Sequence, residues 1–166
     1  NLQNLNAARL VCNELGVSHR DFFTQISTFK GASNRLELVK KTKNSAVYKD
    51  FAHSPSKLRA TSFAMKKQFK KRKLIACMEL HTFSSLNEEF LKQYNGCMDE
   101  PDTAIVYFSQ ESIKHKKLDP ITTQQVHTSF NREDLLVFTN TQKLKEYLKS
   151  LNWENKNLLM MSSGTF

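Results

Sequence analysis

Four short apolar runs, LIACMEL (74–80), TAIVYF (103–108), LLVFT (135–139) and NLLMMS (157–162), constrain this chain more than anything else in it. Each has the length of a strand, and the stretches between them, 86–97, 122–131 and 140–151, carry helical period. LIACMEL is almost unbroken by polar residues, which reads as a strand covered on both faces rather than a half-exposed one. A helix over 55–70, with Leu58, Phe63, Ala64 and Phe69, precedes it. Strands alternating with helices predict a three-layer, Rossmann-like α/β fold: a mainly parallel sheet with helices on both faces. Upstream, RLELVKK (35–41) and SAVYKD (45–50) alternate with period two around a Thr42-Lys43-Asn44 turn and predict an antiparallel hairpin. The loop after 108 holds Lys114, His115, Lys116, Lys117 and Pro120.

The first part of the chain has a different period. Leu2, Leu5, Ala8, Val11, Cys12 and Leu15 share one face of a helix over 1–15, ended by Gly16. Ser18 then caps a second helix to about Phe29, with Asp21 at the third helical position and Gly31 beyond its end. The expected division is a helical pair, 1–34, and an α/β domain, 35–166. The chain starts at Asn1 without Met and stops at Phe166 just after a strand-like run, which suggests a piece of a longer protein.

With 166 residues, 39% of them hydrophobic, the chain is long enough to bury a core. Twenty-five basic against 16 acidic residues give a net charge of +9, which favours anionic partners without choosing among them. The densest basic run is Lys66, Lys67, Lys70, Lys71, Arg72 and Lys73; a solvated helix end explains it, and a nucleic-acid surface is the alternative. That run belongs to no recognised nucleic-acid signature, so no nucleic-acid partner is expected, and no apolar run is long enough for a membrane span. Cys12, Cys77 and Cys97 are far apart and odd in number, and read as buried thiols of a reducing compartment.

Parallel sheets bind ligands beyond the carboxyl ends of their strands. The residues to inspect are therefore 50–54, 81–85, 109–112, 139–141 and 162–166. They are rich in hydroxyls and include His53 and His81. Asp50 and His53 fall between a strand and a helix, where capping and a ligand-facing turn are both open readings. Glu79, His81, Thr82 and Ser84 close the central strand; two histidines on neighbouring ends raise zinc as an alternative, but no third ligand is fixed by spacing. No metal site is expected. Only four glycines are present, and neither GxxxxGK[ST] nor GxGxxG occurs, so a phosphate cradle would have to lie on other sequence.

Five motifs in order resemble the Mur ligase family, the ATP-dependent ligases that build the peptidoglycan peptide stem. NLQNLNAA (1–8) resembles HNxxNxxAA near the end of the family's central domain, and FKGASNRLEL (29–38) resembles the F-x-G-x-x-x-R-x-E join to its C-terminal domain. VYKDFAHSP (47–55) resembles VYDDFAHHP, ACMELHTFSS (76–85) resembles the EPHTYSR type of strand end, and LLMMSSGTF (158–166) resembles LLMMSNGGF. The resemblance covers the chain from end to end and implies a helical tail of the central, ATP-binding domain followed by the C-terminal domain.

What it implies for function is a bacterial, cytoplasmic ligase that joins UDP-N-acetylmuramate to an amine through an acyl phosphate. DFAHxP and MMSxGxF resemble the branch that acts on UDP-N-acetylmuramate itself, and the MMSxGxF ending tilts the incoming group toward the peptide L-Ala-γ-D-Glu-meso-diaminopimelate, with L-alanine as the alternative. ATP and Mg²⁺ would be bound mainly by the central domain, in the rest of the ligase chain, and this piece alone would be inactive. By matching position, Arg35, Asp50, His53 and Ser54 would face the nucleotide. His81, Thr82, Ser84 and Ser85 would line the cleft, and Ser109, Ser162, Ser163 and Gly164 the incoming amino acid or peptide. No residue of this piece is assigned a catalytic role. Lys49, Ser54 and Ser85 depart from the pattern, standing where an acid, a second His and a basic residue are common. A basic nucleic-acid-binding module and an adaptor without ligase substrates are the readings from other classes.

Overall fold

The computed structural model describes residues 2–29 and 31–164; Asn1, Lys30, Thr165 and Phe166, and with them the last residue of the MMSxGxF motif, lie outside the described residues. The chain divides into two compact units, residues 1–32 and 33–166.

In the first unit, α1 (Leu2–Glu14) ends in a turn at Gly16, whose φ of 83° a side chain would resist. Helix α2 (His19–Ile26) starts at Ser18, whose hydroxyl accepts from Asp21 N–H. It also donates to the Asp21 carboxylate at 2.7 Å. This satisfies donors left open by the first helical turn. Phe22 is the buried residue of α2, while α1 buries none of its residues and Cys12 is half-exposed, not buried as the periodicity predicts.

The second unit is a six-stranded sheet in the order β1-β2-β6-β3-β4-β5. Strands β1 (Glu37–Lys41) and β2 (Ala46–Asp50) pair antiparallel, with a register shift between Leu38 and Lys40. The rest pair parallel: β2 with β6 (Lys156–Met161), β6 with β3 (Lys73–Glu79), β3 with β4 (Thr103–Tyr107) and β4 with β5 (Leu136–Phe138). Side chains alternate across the pleat. Leu74, Ala76, Met78, Ala104, Val106, Leu159 and Met161 therefore face one cluster, with Leu58 and Met65 of α3 (Pro55–Gln68) and Val126 and Phe130 of α6 (Thr123–Phe130). Ile75, Cys77, Ile105 and Leu158 face the other, with Leu144, Tyr147 and Leu148 of α7 (Thr141–Ser150). Helices thus cover both faces of a mainly parallel sheet, as predicted.

Two elements differ from expectation. The segment 86–97 forms only one α-helical turn, α4 (Glu88–Leu91), then a 3₁₀ turn, Lys92–Tyr94, and stops at Gly96 with φ 69°. The lysine-rich loop begins with a short helix, α5 (Gln110–His115), capped by Ser109 and anchored by buried Ile113. Cys77 and Cys97 are buried, and burial pushes both thiols up. No helix among the described residues is long and apolar enough to cross a membrane.

Candidate functional site

Parallel pairing sets the carboxyl ends of β2, β6 and β3 side by side, because Asp50 and Met78 both register with Met161. The residue after Met161 is Ser162, and it ties the three ends together. Its N–H donates to the Asp50 carbonyl at 3.1 Å. Its hydroxyl donates to Glu79 Oε2 and accepts from Gly164 N–H, at 2.8 Å in the second case. Glu79 Oε1 lies 3.5 Å from His81 Nδ1. Glu79 itself is 8% exposed. A Cβ on Gly164 would come within 3.1 Å of three His81 ring atoms, so the backbone there passes under the imidazole and a side chain would displace it. Ser163, inside this turn, has a buried hydroxyl without a hydrogen-bond partner among the described residues.

Asp50 is a clasp, not a helix cap. Its Oδ2 accepts from Leu36 N–H and its Oδ1 from Ala52 N–H, both at 2.7 Å. The first bond pins a segment in which Asn34 and Leu36 have left-handed backbones, φ 55° and 49°, a conformation that non-glycine residues rarely adopt. Ser54 holds the N-cap position of α3 ahead of Pro55, yet its hydroxyl makes no capping bond. His53 Nδ1–H donates to the Phe51 carbonyl at 2.9 Å, which fixes the tautomer and leaves Nε2 as the second ring nitrogen to engage a ligand. The imidazole stands edge-on to the Phe51 ring, 5.2 Å between centroids, and the Arg35 guanidinium lies 5.3 Å from that ring. Arg35, Phe51 and His53 thus form one cationic, aromatic edge. Behind it, Tyr94 O–H donates to the His53 carbonyl at 2.6 Å. Burial, with a smaller contribution from Cys97, pushes the Tyr94 phenol up and keeps it a donor.

After β3, Thr82 organises the loop. Its Oγ1 sits 3.1 Å from Ser84 Oγ and accepts from Ser85 N–H, while Ser85 Oγ donates to the Thr82 carbonyl. Ser85 is 1% exposed, so it shapes the turn from inside instead of lining an open cleft. Ser109 caps α5 by accepting from Ser112 N–H at 3.2 Å, and among the described residues no hydrogen bond links its side chain to the Ser162 turn. The structure therefore brings Arg35, Asp50 and His53 to one edge and His81, Ser162, Ser163 and Gly164 to the next. Thr82 and Ser84 stand beside them, Ser54 contributes position only, and Ser109 stands apart. The family resemblance gives Glu79 no role. Its one signal is a carboxylate within an otherwise apolar strand run.

No family model matches the chain. Among curated relatives, the UDP-N-acetylmuramate–L-alanine ligase of Cutibacterium acnes is 34% identical over 131 residues, covering 76% of this chain and 27% of that protein. The ligase of the same name from a Sulfurihydrogenibium species is 29% identical over 171 residues, covering 99% of this chain and 36% of that protein. The chain thus spans about a third of these relatives' length. Among solved structures, the UDP-N-acetylmuramate–alanine ligase of Thermotoga maritima superposes with a TM-score of 0.73 at 19% identity, over 99% of this chain and 34% of that one. The murein peptide ligase of Psychrobacter arcticus gives 0.69 at 19%, over 98% of this chain and 34% of that one. A second Thermotoga maritima ligase of the group, solved with ADP, gives 0.65 at 16%, over 98% and 34%. The solved structures share the α/β fold of this chain. The chain belongs to the Mur ligase family, as its C-terminal domain.

The rim does not fit a bound Mg²⁺. Its carboxylates, Asp50 and Glu79, are already engaged, and among the described residues no group of three or more His, Cys, Asp or Glu could hold a metal ion.

Proposed function

We propose that this chain is the acceptor-presenting domain of an ATP-dependent ligase that joins UDP-N-acetylmuramate to an amine. The carboxylate of the sugar derivative attacks the γ-phosphate of ATP, giving an acyl phosphate and ADP. The incoming amine attacks the acyl carbon, the C–O bond to phosphate breaks, and an amide and inorganic phosphate result. Such a reaction is accelerated chiefly by positioning and by charge stabilisation. The observation that carries the reading is the joined row of strand ends through Ser162, whose surroundings match the family motifs in position.

Two neighbouring parts divide the work. Arg35 and His53, on the Phe51 edge, supply positive and hydrogen-bonding groups toward the nucleotide. His81 and Ser163, whose hydroxyl has no hydrogen-bond partner among the described residues, supply polar groups toward the incoming group, with the Ser162–Gly164 turn as their frame. With no glycine-rich phosphate loop in the sequence, the triphosphate would rest mainly on the ATP-binding domain of the longer ligase. The ADP-bound relative supports nucleotide use.

For the incoming group, the names of the curated relatives favour L-alanine. The murein peptide ligase among the structural neighbours supports the second reading, the tripeptide L-Ala-γ-D-Glu-meso-diaminopimelate, to which the sequence motifs tilt. Phosphate release by the full-length ligase, with ATP, UDP-N-acetylmuramate and either acceptor, decides. Release with L-alanine alone makes it the first ligase of stem synthesis, and release with the tripeptide alone makes it a recycling ligase. Silence with both would overturn the proposal.

A further inference from the structure

We infer that Glu79 is a positioning residue for the incoming amine, holding the Ser162–Gly164 turn and the His81 ring in a single arrangement. The inference rests on the ligase reading above. A carboxylate at 8% exposure is costly to bury unless its acceptors are filled. The two groups that face its oxygens, Ser162 Oγ and His81 Nδ1, both belong to the candidate site. Among the described residues no helix end or backbone amide hydrogen-bonds its carboxylate, so helix capping does not account for it.

The order of donors makes the arrangement directional. The Ser162 hydroxyl proton is committed to Glu79, and the hydroxyl's lone pairs are left to accept from Gly164 N–H. That bond folds Ser163 inside a tight turn and brings the Gly164 backbone under His81. Glu79 Oε1 approaches the same ring at Nδ1, at 3.5 Å. The ring is thus held by the carboxylate and the turn together, and both depend on Glu79. A carboxylate at this place acts at a distance from the reacting atoms, through Ser162 and His81.

Two measurements test this. In the 166-residue chain, Glu79→Ala frees the Ser162 hydroxyl and speeds hydrogen exchange of the Gly164 amide by about tenfold, the value of one hydrogen bond. Ser162→Ala does the same, Glu79→Gln, which keeps an acceptor, stays near wild type, and the double variant is no faster than the faster single variant. The His81 ring nitrogen resonances move in Glu79→Ala. Should that variant not fold, Ser162→Ala and Glu79→Gln still decide, because the inference requires them to differ. Unchanged Gly164 exchange, or additive effects, overturns it. In the full-length ligase, Glu79→Gln and Ser162→Ala separate in the same way: Ser162→Ala raises KM for the amine by about tenfold with KM for ATP and kcat nearly constant. A uniform shift in all constants, or none in an active enzyme, overturns the positioning role alone. A wild type silent with both acceptors overturns the ligase reading itself, while the exchange data still report on the geometry.

Discussion

Helix α1 and strand β3 both carry conspicuous apolar residues, yet α1 buries none of its thirteen and β3 buries all of its seven except Lys73. Leu2 and Val11, on the apolar side of the first helix, are 82% and 60% exposed, and Leu15 just beyond its end is 77% exposed. Ala76, Cys77 and Met78 are fully buried. The difference is one of cover. Strand β3 lies between β4 and β6, with helices over both faces, so every pleat position meets a partner. An amphipathic helix specifies only a stripe, and the stripe contributes to stability when something packs on it.

The contrast predicts a graded series of effects. Leu58→Ala, a cavity beneath the sheet, costs about 2–5 kcal/mol in urea unfolding; a cost below about 1 kcal/mol would mean that the sheet unit is loosely packed. Asp102 is next. Burial opposes its ionisation, but the Lys66 ammonium at 2.7 Å and Leu74 N–H outweigh it and hold the carboxyl below its ordinary 3.8. Because the folded value is the lower one, the stabilisation is full above 3.8 and is lost as pH falls through the folded value. Melting temperature followed down to acid pH should therefore converge for wild type and Asp102→Asn; a constant gap would discount the pair. Ser18→Ala removes the α2 cap and costs about 1 kcal/mol of local helix stability, read by amide exchange across His19–Ile26. Leu15→Ser changes stability by less than about 0.5 kcal/mol, as for an uncovered surface position. A loss as large as that of Leu58→Ala would show that the stripe is packed in solution.

Element type was legible wherever period and length agreed, as in β3, β4, β6 and α7. It was least legible where short-range chemistry decided. Helix α5 is six residues long and rests on a Ser109 cap and one buried side chain, Ile113, too little for periodicity to register. Helix α4 gives way to a 3₁₀ turn before Gly96, so the predicted 86–97 helix is broken. The rim was legible as a place, because strand ends follow from strand identity. Individual roles were not. Asp50 is a strong-looking ligand residue in sequence, but two backbone amides at 2.7 Å take its oxygens. Glu79 needs the register of β3 against β6 before its partner Ser162, 83 positions away, can be seen.

The most direct test of the rim as a working surface is His53→Ala in the full-length ligase. The Tyr94 bond goes to the His53 backbone carbonyl and survives the change, so the fold is largely spared. The expected result is a raised KM for ATP or a lowered kcat, with little change in melting temperature. A large drop in melting temperature with unaltered kinetics would contradict the account and make His53 a structural residue.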